Sequence, residues 1–121
     1  MMHASTTVFT VKDVMASVAY FRDKLGFDVA FEYGNPTFYV GLCSGEVSLH
    51  LVAASRTPRL PGHGAVTIFV DDVDAVHDDL VKRGARVLKA PQDYDYGQRD
   101  FDVADLDGNM IFFSMESQKA S

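Results

Sequence analysis

Residues 11–29, "VKDVMASVAYFRDKLGFDV", have a counterpart half a chain later in residues 70–87, "VDDVDAVHDDLVKRGARV". Each copy passes from an apolar, strand-like segment to an aspartate, Asp13 or Asp72, and later reaches a glycine. A carboxylate suits the free N–H groups at a helix start, and glycine suits the turn that follows a helix. The repeat therefore predicts two copies of one structural unit, each containing one helix.

The residues on both sides of each helix extend the unit to a βαβββ module. A strand precedes each predicted helix, at residues 7–11 and 66–70, and three more strands follow it. These later strands are predicted at 27–33, 37–42 and 46–52 in the first copy, and at 85–89, 99–104 and 109–115 in the second. The predicted fold class is therefore α+β, with two βαβββ modules in tandem that form concave mixed sheets.

The whole chain, residues 1–121, is predicted to be a single domain. Module 1 spans about 6–53, module 2 spans about 65–115, and a polar tail covers 116–121. The segment 54–64, "ASRTPRLPGHG", is rich in Pro and Gly and is predicted to link the modules. Residues 90–98, "APQDYDYGQ", are predicted to form a loop within module 2.

Composition and charge argue against several classes of function. The net charge of −6 disfavours nucleic acid as a partner, because phosphate binding needs basic surface. No apolar run approaches the ~20 residues of a membrane-spanning helix, so no membrane partner is predicted. The N-terminal "MMHASTT" lacks the basic and apolar regions of a secretory signal, which predicts a cytoplasmic location. The single cysteine, Cys43, excludes an internal disulfide.

Acidic side chains cluster in residues 91–109, where six aspartates accompany the single Arg99. One interpretation is a solvated surface, because charged side chains normally face water. The other is attraction of a cationic ligand. We expect Arg99 to pair with Asp105 or Asp107 of its own hairpin.

The strand "RDFDVA", residues 99–104, alternates between two faces. Phe101 and Val103 fall on one face. Asp100 and Asp102 fall on the other, together with an aromatic residue of the following strand, Phe112. Two aspartates do not suit a protein core, so the second face predicts a ligand cleft.

These segments carry a resemblance to a known superfamily. Together with the two repeats, residues 96–113, "YGQRDFDVADLDGNMIFF", resemble the vicinal oxygen chelate superfamily of glyoxalases, bleomycin resistance proteins and extradiol dioxygenases. Tyr96 stands for the usual Trp of the family motif, and Leu106 stands for the usual Pro. The resemblance covers nearly the whole chain. It implies paired modules whose sheets form a concave cleft, commonly in a homodimer.

The resemblance also identifies where metal-dependent members hold a divalent ion, through His, Glu or Gln on equivalent strands. Those positions carry Thr6, His50, Ala65 and Phe112 here, and only His50 is a usual ligand. Catalytic metal sites need about three protein ligands. We therefore predict no metal and no cofactor, a pattern closest to the metal-free, bleomycin-resistance-like members.

The predicted ligand-binding side chains combine acids, aromatic rings and one imidazole. They are His50, Asp100, Asp102, Phe112, Tyr39, Tyr94 and Tyr96. His50 either is a hydrogen-bonded residue of a half-exposed strand or orients a ligand, and each aromatic ring either lines the cleft or packs in the sheet or dimer interface. The cleft floor is predicted to contain small side chains: Thr6, Thr10, Ala65 and Thr67.

The leading hypothesis is a metal-independent, small-molecule-binding homodimer that sequesters a cationic or aromatic antibiotic or metabolite. The alternative is a lyase, isomerase or dioxygenase of the same superfamily that uses His50 with or without a divalent metal. A third hypothesis is an accessory subunit whose cleft no longer binds a ligand. No catalytic residue is assigned. The sequence leaves open the identity of the ligand and whether the modules exchange between chains.

Overall fold

The structure, a computed structural model, describes residues 1–117, so the last four residues of the predicted polar tail lie outside it. The elements follow the predicted order, βαβββ twice. The first module contains β1 (Thr7–Val11), α1 (Val14–Asp23), β2 (Asp28–Gly34), β3 (Thr37–Ser44) and β4 (Val47–Ala53). The second contains β5 (Ala65–Phe69), α2 (Val73–Arg83), β6 (Arg86–Asp93), β7 (Gln98–Ala104) and β8 (Met110–Glu116).

Each module is a four-stranded mixed sheet with one helix. The strand order is β1-β4-β3-β2 in the first sheet and β5-β8-β7-β6 in the second. The first strand of each module pairs in parallel with the last, and the other neighbours are antiparallel. This architecture confirms the predicted fold class. Among residues 1–117, no helix is long and apolar enough to cross a membrane.

The helices begin where the repeat predicts them. Asp13 accepts a hydrogen bond from the N–H of Ala16 at 3.0 Å, and Asp72 accepts one from the N–H of Ala75 at 3.0 Å. Gly84 ends α2 in the left-handed conformation, with a φ of 84°. Because these local signals act within a few residues, they are readable from the sequence.

The core forms where each helix packs on one face of its sheet. Phe101 stacks on Phe113 with ring centroids 5.2 Å apart, on the side of the second sheet that α2 covers. The largest fully buried apolar side chains are Phe9, Phe21, Phe101, Leu42, Leu49, Leu51 and Ile111. The opposite faces carry polar and aromatic side chains, among them Asp102 and Phe112 on the second sheet and Tyr39 and His50 on the first.

One predicted boundary in the second module is wrong. Residues 90–98 are not all loop, because β6 continues to Asp93, pairs there with Arg99 and leaves only a short turn. The pairing is irregular between Lys89 and Gln92, and Pro91 lies in this stretch. A proline at a bulge removes no ladder hydrogen bond, so it does not end the strand. The remaining strand ends differ by one or two residues, and β8 includes Glu116 of the predicted tail.

Buried hydrogen bonds join the two modules. Tyr20 of α1 donates from its hydroxyl to the carbonyl of Ala104 at 2.7 Å and accepts from the N–H of Arg86 at 2.9 Å. Burial raises the pKa of this hydroxyl, which keeps it protonated. Asn109 donates from Nδ2 to the carbonyl of Thr10 at 3.1 Å. The boundary between modules therefore depends on polar groups as well as apolar contacts.

We expect Tyr20→Phe to lower the free energy of unfolding by about 2 kcal/mol, because it leaves a buried carbonyl and a backbone N–H without their partner. Urea denaturation followed by circular dichroism measures the change. Tyr33→Phe is the matched control, since Tyr33 is 65% exposed on β2. Equal losses in the two variants would contradict the role of the Tyr20 hydroxyl.

Candidate ligand-binding site

The open face of the second sheet forms a cleft of about 550 Å³. Side chains from all four strands of that sheet and from the turn after β6 line it. They are Thr67, Phe69, Lys89, Tyr94, Tyr96, Gln98, Asp100, Asp102, Phe112 and Ser114. Five of the seven predicted ligand-binding residues are in this set. The cleft therefore brings together most of the side chains that were predicted to bind a ligand.

Strand register explains why these side chains share one face. Asp102 lies opposite Phe112 across the β7–β8 pair, and Thr67 lies beside Phe112 on the other side. Lys89 pairs with Asp102 across β6 and β7. Alternate residues of a strand point to the same side, so Asp100 and Ser114 form the neighbouring pair. The two acids consequently lie beside an aromatic floor.

Two tyrosines form one wall of the cleft. The rings of Tyr94 and Tyr96 are stacked with centroids 5.3 Å apart and an interplanar angle of 10°. The Tyr96 hydroxyl donates to Oδ2 of Asp100 at 3.1 Å. Gly97 closes the turn with a φ of 85°, and its N–H donates to the carbonyl of Tyr94 at 3.1 Å. The left-handed glycine thus brings the turn back so that both rings stand over the sheet.

The charges of the cleft influence one another. Burial raises the pKa of Asp102, Lys89 opposes this shift, and Asp100 adds to it. The Tyr94 side chain raises the pKa of Lys89, with smaller contributions from Asp102 and Asp100. Loss of hydration raises the pKa of Tyr96, followed by its hydrogen bond to Asp100. The acids, the lysine and the tyrosines of the cleft are therefore electrostatically coupled.

The predicted pairing of Arg99 is wrong. Its guanidinium binds Asp74 of α2 through two hydrogen bonds, at 3.0 and 2.8 Å, and Asp93 of β6 at 3.3 Å. Arg99 lies on the helix side of β7, where strand alternation places it. Asp105 instead accepts from N–H groups of its own turn, those of Asp107 and Asn109. Arg99 consequently does not compete for the acids of the cleft.

The remaining two predicted residues lie on the open face of the first sheet. The Tyr39 hydroxyl and Nδ1 of His50 form a hydrogen bond of 2.8 Å. Phe31 stacks on Tyr39 with centroids 6.2 Å apart and meets the His50 ring edge-on at 5.3 Å. Gly41 lies beneath the Phe31 ring, where any side chain would collide with it. Within the chain, His50 and Tyr39 therefore form a separate cluster from the acidic cleft.

The four residues predicted for the cleft floor are divided between the two modules. Thr67 lines the cleft, but Ala65 does not. Thr6 donates to the Ser48 hydroxyl at 3.1 Å on the first module, and Thr10 is buried in β1. Thr6 and Thr10 belong to the first module. An internal repeat in the sequence does not show how the two modules are placed relative to each other.

Sequence reasoning missed four residues of the cleft: Phe69, Lys89, Gln98 and Ser114. Phe69 and Ser114 could have been found, because they continue the alternation of Thr67 and Phe112 along β5 and β8. Lys89 could not, because the irregular pairing of β6 alters its phase. A larger groove of about 920 Å³ runs between the modules and shares Thr67 and Phe69 with the cleft, but not its acids or tyrosines.

The donor groups do not fit a divalent metal. Among residues 1–117, no three His, Cys, Asp or Glu side chains are grouped so that they could hold an ion. Phe112 and Ala65 offer no donor atom, and His50 has Tyr39 and Phe31 as its ring neighbours. A divalent site normally needs about three protein ligands.

Comparison with known families agrees with the fold. The profile described as the Glyoxalase/Bleomycin resistance protein/Dioxygenase superfamily matches residues 3–113. The chain belongs to this superfamily. No curated protein sequence matches the chain.

Solved structures share the fold at low sequence identity. A superfamily member from Sphaerobacter thermophilus DSM 20745 is 24% identical, with a TM-score of 0.82, covering 96% of this chain and 98% of that one. The bleomycin-binding protein of Streptomyces verticillus, complexed with copper(II)-bleomycin, is 24% identical, with a TM-score of 0.80 and coverage of 97% and 98%. TioX from Micromonospora sp. ML1 is 20% identical, with a TM-score of 0.81 and coverage of 96% and 100%.

Proposed function

We propose that the chain is a metal-independent, small-molecule-binding protein that sequesters a cationic or aromatic compound, such as an antibiotic, without altering it. The observation that carries this proposal is the composition of the cleft. Flat rings of Tyr94, Tyr96 and Phe112 lie beside the carboxylates of Asp100 and Asp102. Such a surface can stack on a planar ligand and pair with its positive charge.

The relatives support the binding class. The Streptomyces verticillus protein binds bleomycin on a scaffold that this chain shares over nearly its whole length. The scaffold alone does not specify a ligand. The cleft of about 550 Å³ falls within the usual range for small-molecule sites.

We also propose that the protein works as a homodimer. Both sheets leave an aromatic face open, with Phe69 73% exposed and Phe31 44% exposed. Exposed aromatic faces of this kind are costly in water and are usually covered by a partner or a ligand. Analytical ultracentrifugation measures the oligomeric state, and a monomer at all concentrations tested would contradict this part of the proposal.

A binding panel tests the proposed function. Isothermal titration of planar cationic dyes and of metal-free bleomycin into the purified protein should show saturable binding, and mass spectrometry should recover each compound unchanged. Asp28→Asn is the charge-matched control for the Asp102→Asn variant, since Asp28 lies on the first sheet. No binding across the panel, or release of a chemically altered compound, would overturn the proposal.

An enzyme that uses His50 remains the second candidate, and one observation favours it. The 2.8 Å hydrogen bond between Tyr39 and Nδ1 of His50 fixes the imidazole, which is how a proton-transferring histidine is often held. His50→Gln would abolish turnover in that case and leave ligand retention in the cleft intact. Metal analysis of protein purified without chelators gives an independent test, because a stoichiometric divalent ion would favour the enzyme.

We expect the binding of a cationic ligand to weaken as the pH falls. Burial raises the pKa of Asp102 above the ordinary 3.8. The carboxylate attracts a cation only when ionised, so affinity is full above the raised pKa and declines below it, with a midpoint above 3.8. Lys89, Asp100 and Tyr96 also face this group. With a quaternary ammonium dye, which does not titrate, the pH dependence of the affinity comes from the protein alone. Asp102→Asn should abolish that pH dependence.

A further inference from the structure

We propose that Lys89 determines the charge of the ligand, so that the cleft prefers an aromatic molecule with an ammonium and an acceptor group over a bare cation. This proposal rests on the proposed function and narrows its ligand class. It follows from the position of one side chain that neither the repeat nor the superfamily resemblance identifies.

The cation-binding position of the aromatic wall already has an occupant. Nζ of Lys89 lies 5.2 Å from the centroid of the Tyr94 ring. Lys89 projects from β6 beside Asp102, and both residues line the cleft. An ammonium within about 6 Å of an aromatic face is attracted by it. A ligand that stacks on Tyr94 with its own cation must therefore displace Lys89.

Tyr94, and not an ion pair, is the main partner of the Lys89 ammonium. Within residues 1–117, it forms no ion pair shorter than 4.0 Å, although Asp100 and Asp102 act on it through their charge. Its side chain is exposed on an outer strand, so it can move without unfolding the sheet. When a ligand takes the face of Tyr94, the Lys89 ammonium can therefore move to a new partner, and the ligand must offer it one.

The charge of the displaced Lys89 ammonium determines which ligand binds most tightly. A ligand whose only charged group is a cation pairs with Asp102, but its charge then lies close to the like charge of Lys89. A molecule that also carries a carboxylate or another acceptor pairs with Lys89 while its ammonium pairs with the acids. The cleft thus contains complementary partners for both charges of a zwitterion: Asp100 and Asp102 for the ammonium, Lys89 for the acceptor.

Three probes with the same indole ring test this. Tryptamine carries an ammonium, tryptophan carries an ammonium and a carboxylate, and indole-3-propionate carries a carboxylate. The wild-type protein should bind tryptophan most tightly, as measured by NMR titration of the cleft residues. Lys89→Met keeps the aliphatic stem; it should bind tryptamine about two- to fivefold more tightly and tryptophan more weakly by a similar factor. Lys82→Met, on α2, changes the net charge equally and should leave the order unchanged.

Two results would overturn the proposal. The first is binding of the probes with the same preference in wild type and Lys89→Met. The second is no binding of any probe at the cleft. Failure of the proposed function is recognised separately, because it would also remove binding of the larger dyes and of bleomycin. If the dyes bind but Lys89→Met does not change the preference among the three indole probes, only the inference about Lys89 is contradicted.

Discussion

Asn109→Ala is expected to lower the free energy of unfolding by about 3 kcal/mol, because it breaks a buried network between the modules. Nδ2 of Asn109 donates to the carbonyl of Thr10 at 3.1 Å and to Oδ2 of Asp105 at 2.8 Å. Oδ1 accepts from the N–H of Gly64 at 2.8 Å. One side chain thus connects the first module, the linker and the turn before β8.

The loss should depend on pH in a definite direction. Burial raises the pKa of Asp105, and its hydrogen bonds from Asn109 and Asp107 lower it. Without the Asn109 donor, the folded-state pKa of Asp105 rises further above the unfolded value. The variant is therefore destabilised most at neutral pH, and the deficit shrinks as the pH falls through that raised pKa, where the carboxyl is protonated.

Chemical denaturation at several pH values measures both effects. Leu106→Ala is the control in the same turn, since Leu106 is 46% exposed and should change the free energy of unfolding by less than about 0.5 kcal/mol. If Asn109→Ala were as mild as Leu106→Ala, the network would not stabilise the junction between modules.

Asp102→Asn is expected to weaken the binding of a cationic aromatic ligand about tenfold, the usual size of one lost charge-assisted contact. Asp102 is partly buried, lies opposite Phe112 and has the raised pKa of a desolvated carboxyl. The substitution keeps the shape of the side chain and removes its charge. Stability should stay level or rise slightly, because a partly buried charge becomes neutral.

Fluorescence titration with a planar cationic dye measures the affinity of wild type and variant. Asp28→Asn removes the same charge from β2 of the first sheet. Because the effect of Asp102 depends on its position, Asp28→Asn should leave the affinity nearly unchanged. A similar loss in both variants would mean that net charge, and not the cleft, attracts the ligand.

Local patterns were sufficient for the architecture and for part of the site. The repeated Asp13 and Asp72 predicted both helix starts, since a helix cap depends on atoms a few residues apart. Strand alternation predicted that Asp100, Asp102 and Phe112 share a face. The same alternation could not show that Arg99 would meet Asp74, because that acid lies on a helix whose distance from β7 depends on packing.

The amino-acid sequence therefore determined the order of elements, the two modules and the faces of individual strands, because these depend on periodicity within a few residues. Tertiary structure decided which faces meet. It placed His50 with Tyr39 and away from Asp102, continued β6 through Pro91, and brought Lys89 to the acidic cleft. Those outcomes depend on strand pairing across an irregular register and on the packing of two modules, and neither is written in any short segment.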